Sequence, residues 1–129
     1  MDNRMRLLSE ELRNKSSSDA ADWLIEKFPT DCEEYGDAIT LMVHRSWKRE
    51  DQVRLAKYYL RKQPFSSSKV YESFATFMRL DRFLKVVREY LPNNEADRNL
   101  LVYHLDPVLK KYAKTDKEKE IVKMFMSEI

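Results

Sequence analysis

The residue types that most often hold a metal ion or act as nucleophiles are few in this chain and stand apart. Two histidines, His44 and His104, and one cysteine, Cys32, occur among 129 residues. Neither histidine has the His or Glu neighbour three or four positions away that a metal site on a helix requires. A single cysteine excludes a disulfide or a thiolate cluster within the chain. We therefore expect no metal site, no cofactor and structural roles for both histidines.

Catalytic arrangements are equally hard to assemble from the remaining side chains. Glu33 and Asp37 share one face of a predicted helix, but two carboxylates act as a glycosidase pair only across a substrate cleft, and the sequence predicts none. Phosphate-binding loops and the nucleophile elbow need several glycines, and Gly36 is the only glycine present. The chain is therefore predicted not to be an enzyme.

An aromatic residue surrounded by carboxylates favours protein recognition instead. Trp23 and Leu41 fall on the outward sides of two predicted helices, where a large aromatic side chain can anchor an interface and charges can steer association. The alternative is that Trp23 packs against the first helix through Leu8 or Leu12. The predicted acidic face consists of Asp19, Asp22, Trp23, Glu26, Glu33, Asp37, Leu41 and His44.

Basic residues form a second outward surface in the middle of the chain. Residues 48–92 contain 11 Lys or Arg against 5 Asp or Glu, a net charge of +6, whereas residues 1–47 contain 6 against 10, a net charge of −4. Such a surface suits nucleic-acid phosphates, with Tyr58 as a stacking ring, or it is the solvated side of amphipathic helices. The predicted basic face consists of Arg54, Lys57, Tyr58, Arg61, Arg82, Lys85 and Arg88.

The scarcity of glycine and proline predicts which elements carry these surfaces. β-Hairpin turns and bulges favour glycine, because they need backbone with positive φ. The chain has one glycine and four prolines and is therefore predicted to be all-α. Capping residues indicate where helices begin. These signals are Ser18 or Asp19, Ser67 or Ser68, Asn94, the capping boxes Thr30 with Glu33 and Thr115 with Glu118, and Asp106 before Pro107.

Short connections between the helices predict how they are arranged. About two to five residues between helices force neighbours to be antiparallel, which predicts stacked helical hairpins, either an irregular α-solenoid or a multi-helix bundle. The length suits a single helical domain over residues 1–129. Tyr59 is predicted to be buried, Tyr58 exposed, and Gly36 to let another helix approach closely. The predicted helices lie near 3–14, 19–28, 31–46, 49–62, 68–78, 81–91, 95–105 and 107–127, the last broken near Thr115.

Hydropathy predicts where the chain resides. No apolar run approaches the roughly 18 residues that a membrane helix needs. The first residues carry charge without an apolar signal segment behind them. We therefore expect a cytoplasmic protein that does not contact membranes.

Two functional hypotheses follow from the two surfaces. The first is a non-catalytic protein-binding module, most concretely a small immunity or antitoxin protein that occludes a partner such as a toxin nuclease, with the carboxylates of the acidic face mimicking phosphates. The alternative is a helical domain that binds nucleic acid through the basic face. A homodimer that buries Trp23 or Tyr58 against a second copy is also consistent with the sequence.

Overall fold

A computed structural model describes all residues, 1–129, and shows an all-α protein without strands. Eight helices were predicted and eight are present. No helix is both long enough and apolar enough to cross a membrane. The helices are α1 (Asn3–Arg13), α2 (Ser17–Lys27), α3 (Tyr35–Met42), α4 (Arg49–Leu60), α5 (Lys69–Phe77), α6 (Leu80–Glu89), α7 (Glu95–Tyr112) and α8 (Asp116–Glu128).

Side-chain caps determine where the last two helices begin, as the sequence predicts. Asn94 accepts a hydrogen bond from the Asp97 amide at 2.8 Å and starts α7. At α8, the Thr115 hydroxyl accepts from the Glu118 amide at 3.1 Å, and the Glu118 carboxylate accepts from the Thr115 amide at 3.0 Å. This capping box is confirmed. The Thr115 amide and then the Lys114 amide stabilise the carboxylate and lower the pKa of Glu118.

Two predicted starts in the first half of the chain were wrong. Ser16 caps α2, which begins earlier than the predicted Ser18 or Asp19. α3 begins at Tyr35 and has no side-chain cap, so the capping box predicted at Thr30 does not form. The Thr30 amide donates instead to the Tyr58 hydroxyl at 3.0 Å. A hydrogen-bond partner 28 positions away therefore replaces the local cap. Residues 30–34, which come before α3, form turns.

The helix break predicted before Pro107 was also wrong. α7 continues through this proline, although proline removes one backbone hydrogen bond and usually ends a helix. The buried stripe of α7 continues on both sides of Pro107 at helical spacing, and burial of that stripe outweighs the lost hydrogen bond. The break near Thr115 is confirmed. The stripe consists of Leu101, Leu105, Val108 and Leu109.

Contacts within the chain form two compact units, Met1–Tyr59 and Leu60–Ile129. In the first unit, α1 packs against α2 and α3. Apolar side chains from these helices and from α4 are fully buried and form the core of this unit. They are Leu12, Ala20, Ala21, Leu24, Ala38, Ile39, Leu41, Met42, Leu55, Ala56 and Tyr59.

Polar side chains in the first unit connect the helix ends. The Arg45 guanidinium donates to the Leu12 carbonyl at 2.8 Å and so satisfies an acceptor at the end of α1. The Ser17 hydroxyl donates to the buried Asp51 carboxylate at 2.6 Å and accepts from the Lys48 amide at 2.9 Å. These contacts join the start of α2 to the start of α4 without leaving a buried side-chain polar atom unpaired.

Tyr59 joins α4 to the end of α2 and is buried, as predicted. Its hydroxyl donates to the Phe28 carbonyl at 2.9 Å and lies 3.3 Å from the Leu24 carbonyl. Burial raises the pKa of Tyr59, because the phenolate would lose its hydration. The phenol therefore stays neutral in the folded protein well above the pH at which a solvated tyrosine ionises.

The second unit shows the predicted stacking of helical hairpins. α5 packs against α6 and α7, and α6 packs against α8. Gln63 stabilises this arrangement, since its side-chain amide nitrogen donates to the carbonyls of Val87 at 3.2 Å and Tyr90 at 3.1 Å. Its oxygen accepts from the buried Tyr71 hydroxyl at 2.9 Å. One side chain thus satisfies the end of α6 and the phenol of α5 together.

Gly36 lies within α3 as predicted, but the reason predicted for it was wrong. A Cβ added at this position would meet no atom within 4 Å, so no helix approaches closely there. Its φ is not positive either. We expect Gly36→Ala to raise the free energy of unfolding by about 0.5 kcal/mol, because alanine restricts the unfolded chain and favours helix. Urea unfolding measures the change; a loss of stability would contradict the open space around Gly36.

Candidate functional site

Trp23 is half-buried, which lies between the exposed position and the packing against α1 that the sequence left open. Its ring meets the edge of Phe28 with 6.4 Å between centroids. The ammonium groups of Lys15 and Lys27 lie 5.9 Å and 5.7 Å from the ring centroid, within the range of cation–π attraction. The indole is therefore held in one orientation while part of it stays accessible to solvent.

Ion pairs divide the carboxylates of the predicted acidic face into two groups. Asp22 pairs with Arg54, and Asp37 pairs with Arg4 at 3.3 Å. Neutralised carboxylates contribute little to a negative surface. The remaining three are exposed and take part in no ion pair; they are Asp19, Glu26 and Glu33.

The prediction for α3 placed one apolar residue on the wrong side. Leu41 is fully buried, although it was predicted to face outward, whereas Val43 is 37% exposed. α3 ends at Met42, so Val43 is its C-cap and leaves the helical stripe. Leu41 therefore does not belong to the accessible surface. His44 is exposed but follows the helix rather than lying on it.

The predicted basic face draws on both units and is partly engaged by carboxylates. Arg54, Lys57 and Tyr58 belong to α4 in the first unit, and the Arg54 guanidinium pairs with a carboxylate, as described above. In the second unit, Arg88 pairs with Glu128 at 2.7 Å. The other basic positions of the second unit are Arg61, Arg82 and Lys85.

Tyr58 does not have the exposure predicted for it. It is half-buried, and its ring meets that of Tyr59 at 83° with 4.9 Å between centroids. Its hydroxyl accepts the Thr30 amide. A ring held in this way has less of its surface accessible for stacking on a nucleobase.

A groove between α7 and α8 was missed by the sequence reasoning. It encloses about 370 Å³, and we call it the α7–α8 groove. Its apolar lining comes from one side of each helix, and lysines stand beside that lining. The only sequence signal was the spacing of Val122 and Met126, which lie outside the stripe that Phe125 buries. The lining residues are Asp106, Leu109, Lys110, Ala113, Lys119, Val122, Lys123 and Met126.

Two further concavities lie in the second unit. A cavity of about 390 Å³ between α6 and α8 includes Lys85 and Arg88 of the predicted basic face beside Met124, which is 56% exposed. Another, of about 460 Å³, is bounded by the serines of 66–68 and by Tyr103, which is 73% exposed. Both combine apolar surface with hydroxyl or cationic groups.

The titratable groups with altered pKa values belong to structural contacts. Burial raises the pKa of Tyr71, as it does for Tyr59. A hydrogen bond with Glu72 raises the pKa of the exposed Lys111. No group of three or more His, Cys, Asp or Glu side chains is arranged to hold a metal ion.

The accessible surfaces can act chemically through packing and charge. A held indole beside unpaired carboxylates and an apolar groove beside lysines are both elements of recognition surfaces. Both are built on helices, whose backbone is already ordered. No family model, no curated protein and no solved structure matches this chain.

Proposed function

We propose that this chain is a non-catalytic protein-binding module, most concretely a cytoplasmic immunity or antitoxin protein that occludes the working surface of a partner. The observation that carries the proposal is the orientation of Trp23. Its ring is fixed by Phe28 and by two lysines, so little side-chain entropy is lost when a partner covers it. Large, pre-oriented aromatic residues are the commonest interface anchors.

The charges around Trp23 indicate the kind of partner. Asp19 and Glu26 lie on the same helix and have no ion-pair partner within the chain. Lys15 and Lys27 lie over the ring and equal these two carboxylates in number, so the charge around Trp23 is mixed. Within it, the unpaired carboxylates are the groups that can attract a basic partner surface and speed association with it. A toxin nuclease offers such a surface in its substrate cleft, where carboxylates replace phosphates.

Nucleic-acid binding by the basic face is the alternative, and the geometry supports it less. Arg54 and Arg88 are already paired with carboxylates, and Tyr58 is half-buried. Each paired arginine would have to leave its carboxylate before it could neutralise a phosphate and release a counterion. The net charge of −4 over residues 1–47 would also repel a long duplex.

We expect Trp23→Ala to weaken the complex with the protein partner by about 2 kcal/mol, or roughly 30-fold in Kd. The partner would be isolated with the tagged chain from native lysate, identified, purified and titrated calorimetrically. Tyr103→Ala is the matched control, since it removes an accessible aromatic ring that belongs to the second unit. It should leave the affinity unchanged.

Three results would contradict this proposal. Equal affinity of wild-type protein and Trp23→Ala would remove Trp23 from the interface, provided circular dichroism shows that the variant is folded. An equal loss for Tyr103→Ala would show that the effect is not specific to this surface. Tight binding of mixed DNA and RNA that weakens steeply with salt and is lost on charge reversal of Lys57 and Lys85 would favour the alternative.

A further inference from the structure

The residues that line the α7–α8 groove have a spacing that suits a bound helix. Its lining residues recur every three or four positions along α7 with its C-cap and along α8, over a span of eight residues on each side. The first and last of them are about 10 Å apart along a helix axis. A helix that docks in a groove places apolar residues at this same spacing. The residues that line this volume of about 370 Å³ therefore extend over about two turns of a helix.

The side of α8 that lines this groove is distinct from the side that packs against α6. Phe125 is 1% exposed and lies on the α6 side, where it borders a different cavity. Val122 and Met126 border the groove and remain partly exposed. The groove thus has an apolar floor that the helices of this unit do not cover.

The rim of the groove is positively charged. Lys119 and Lys123 stand one turn apart on α8 and take part in no ion pair. Lys110 faces them from α7 and is paired with Asp106 at 2.9 Å. Two unpaired cations beside an apolar floor complement a ligand that carries carboxylates on either side of an apolar stripe.

We propose that the α7–α8 groove binds an acidic amphipathic helix of a partner protein. The apolar side chains of that helix would cover Val122 and Met126, and its carboxylates would face Lys119 and Lys123. This inference rests on the proposed protein-binding function, but it concerns a different surface from Trp23. The two surfaces would attract partner regions of opposite charge.

Two synthetic 16-residue helical peptides test the proposal. Both carry leucine at positions i, i+4 and i+7, and the flanking positions are all glutamate in one peptide and all lysine in the other. Binding would be followed by fluorescence anisotropy at physiological salt. We expect the glutamate peptide to bind with one-to-one stoichiometry and at least roughly tenfold more tightly than the lysine peptide.

Charge reversal on the protein provides the decisive comparison. Lys119→Glu with Lys123→Glu should invert the preference between the two peptides. Lys114→Glu with Lys117→Glu is the matched control, because it changes the same charge at exposed positions outside the groove. The control should keep the preference of the wild-type protein. Lys119→Ala with Lys123→Ala should reduce the preference without inverting it, which provides a second variant if charge reversal disturbs folding.

Several outcomes would overturn the proposal. They are absence of saturable binding of the glutamate peptide, equal binding of both peptides, and an equal effect of the control variant. Self-association or DNA binding that is lost in the Lys119 and Lys123 variants would assign the groove to a second copy or to nucleic acid. Trp23→Ala should leave peptide binding unchanged, so failure of the groove and failure of the Trp23 surface are distinguishable.

Discussion

Phe83→Ala is expected to lower the free energy of unfolding by about 3–5 kcal/mol. Phe83 lies in α6, is fully buried, and its ring centroid is 6.3 Å from that of Tyr71 in α5. Tyr71 in turn meets the edge of Phe65 at 5.5 Å. Truncation of Phe83 would remove the buried area of its ring and its edge-to-face contact with Tyr71. The close-packed surroundings would fill the resulting cavity only in part. The loss is a large fraction of the stability of an ordinary domain.

Phe77→Ala is the matched control for this substitution. Phe77 ends α5, contacts Phe74 with 5.7 Å between ring centroids, and is only partly buried. The same change of side chain should therefore cost no more than about 2 kcal/mol. Urea unfolding with a common m value measures both losses. Equal losses would show that the burial of Phe83 does not govern its contribution.

Local signals in the sequence predicted most of the helices and failed where a distant residue replaced a local partner. Thr115 and Glu118 cap α8 as predicted, because both partners of the capping box lie three residues apart. The similar pair that begins with Thr30 fails, since its amide donates to Tyr58 across 28 positions. Pro107 stays within α7 for a related reason, because burial on both sides of it stabilises the helix.

The candidate site was predictable to a smaller extent than the fold. Helical periodicity gave the burial of Tyr59 but not the half-burial of Tyr58, which depends on its partner in another segment. Leu41 was predicted to face outward, but it lies three residues after the buried Ala38, so the buried face of α3 is wider than the predicted one. The α7–α8 groove requires the relative placement of two helices. No periodicity within either helix contains that information.

Raising the pH above 10 is expected to destabilise the protein through two buried phenols, Tyr59 and Tyr71. Burial raises the pKa of each above its ordinary value of 10.0 in the folded state. The unfolded chain therefore releases these protons first. Their contribution is fully present below pH 10.0 and is lost as the pH rises, by about 1.4 kcal/mol per pH unit for each phenol. Together the two phenols should lower the free energy of unfolding by about 3 kcal/mol per pH unit once they ionise in the unfolded chain.

Tyr59→Phe separates this effect from the ionisation of lysines in the same pH range. At pH 7 the variant should be about 1 kcal/mol less stable than the wild-type protein, because the Phe28 carbonyl loses its phenol donor. This difference in stability should disappear near pH 11. By that pH, ionisation of the phenol should have lowered the free energy of the unfolded wild-type chain by about 1.4 kcal/mol, whereas Tyr59→Phe has no phenol to ionise at this position. Urea unfolding at several pH values gives the two curves.

Stability curves for wild-type protein and Tyr71→Phe should likewise cross as the pH rises. Tyr71 belongs to the second unit, and its phenol donates to Gln63 instead of to a backbone carbonyl. The hydrogen-bond acceptors differ, but burial is the leading cause of the raised pKa in both cases. The crossing should therefore survive the change of acceptor. Curves for wild-type protein and variant that stay parallel from pH 7 to 11 would mean that the phenol ionises equally in the folded and unfolded states, and the raised pKa would be wrong.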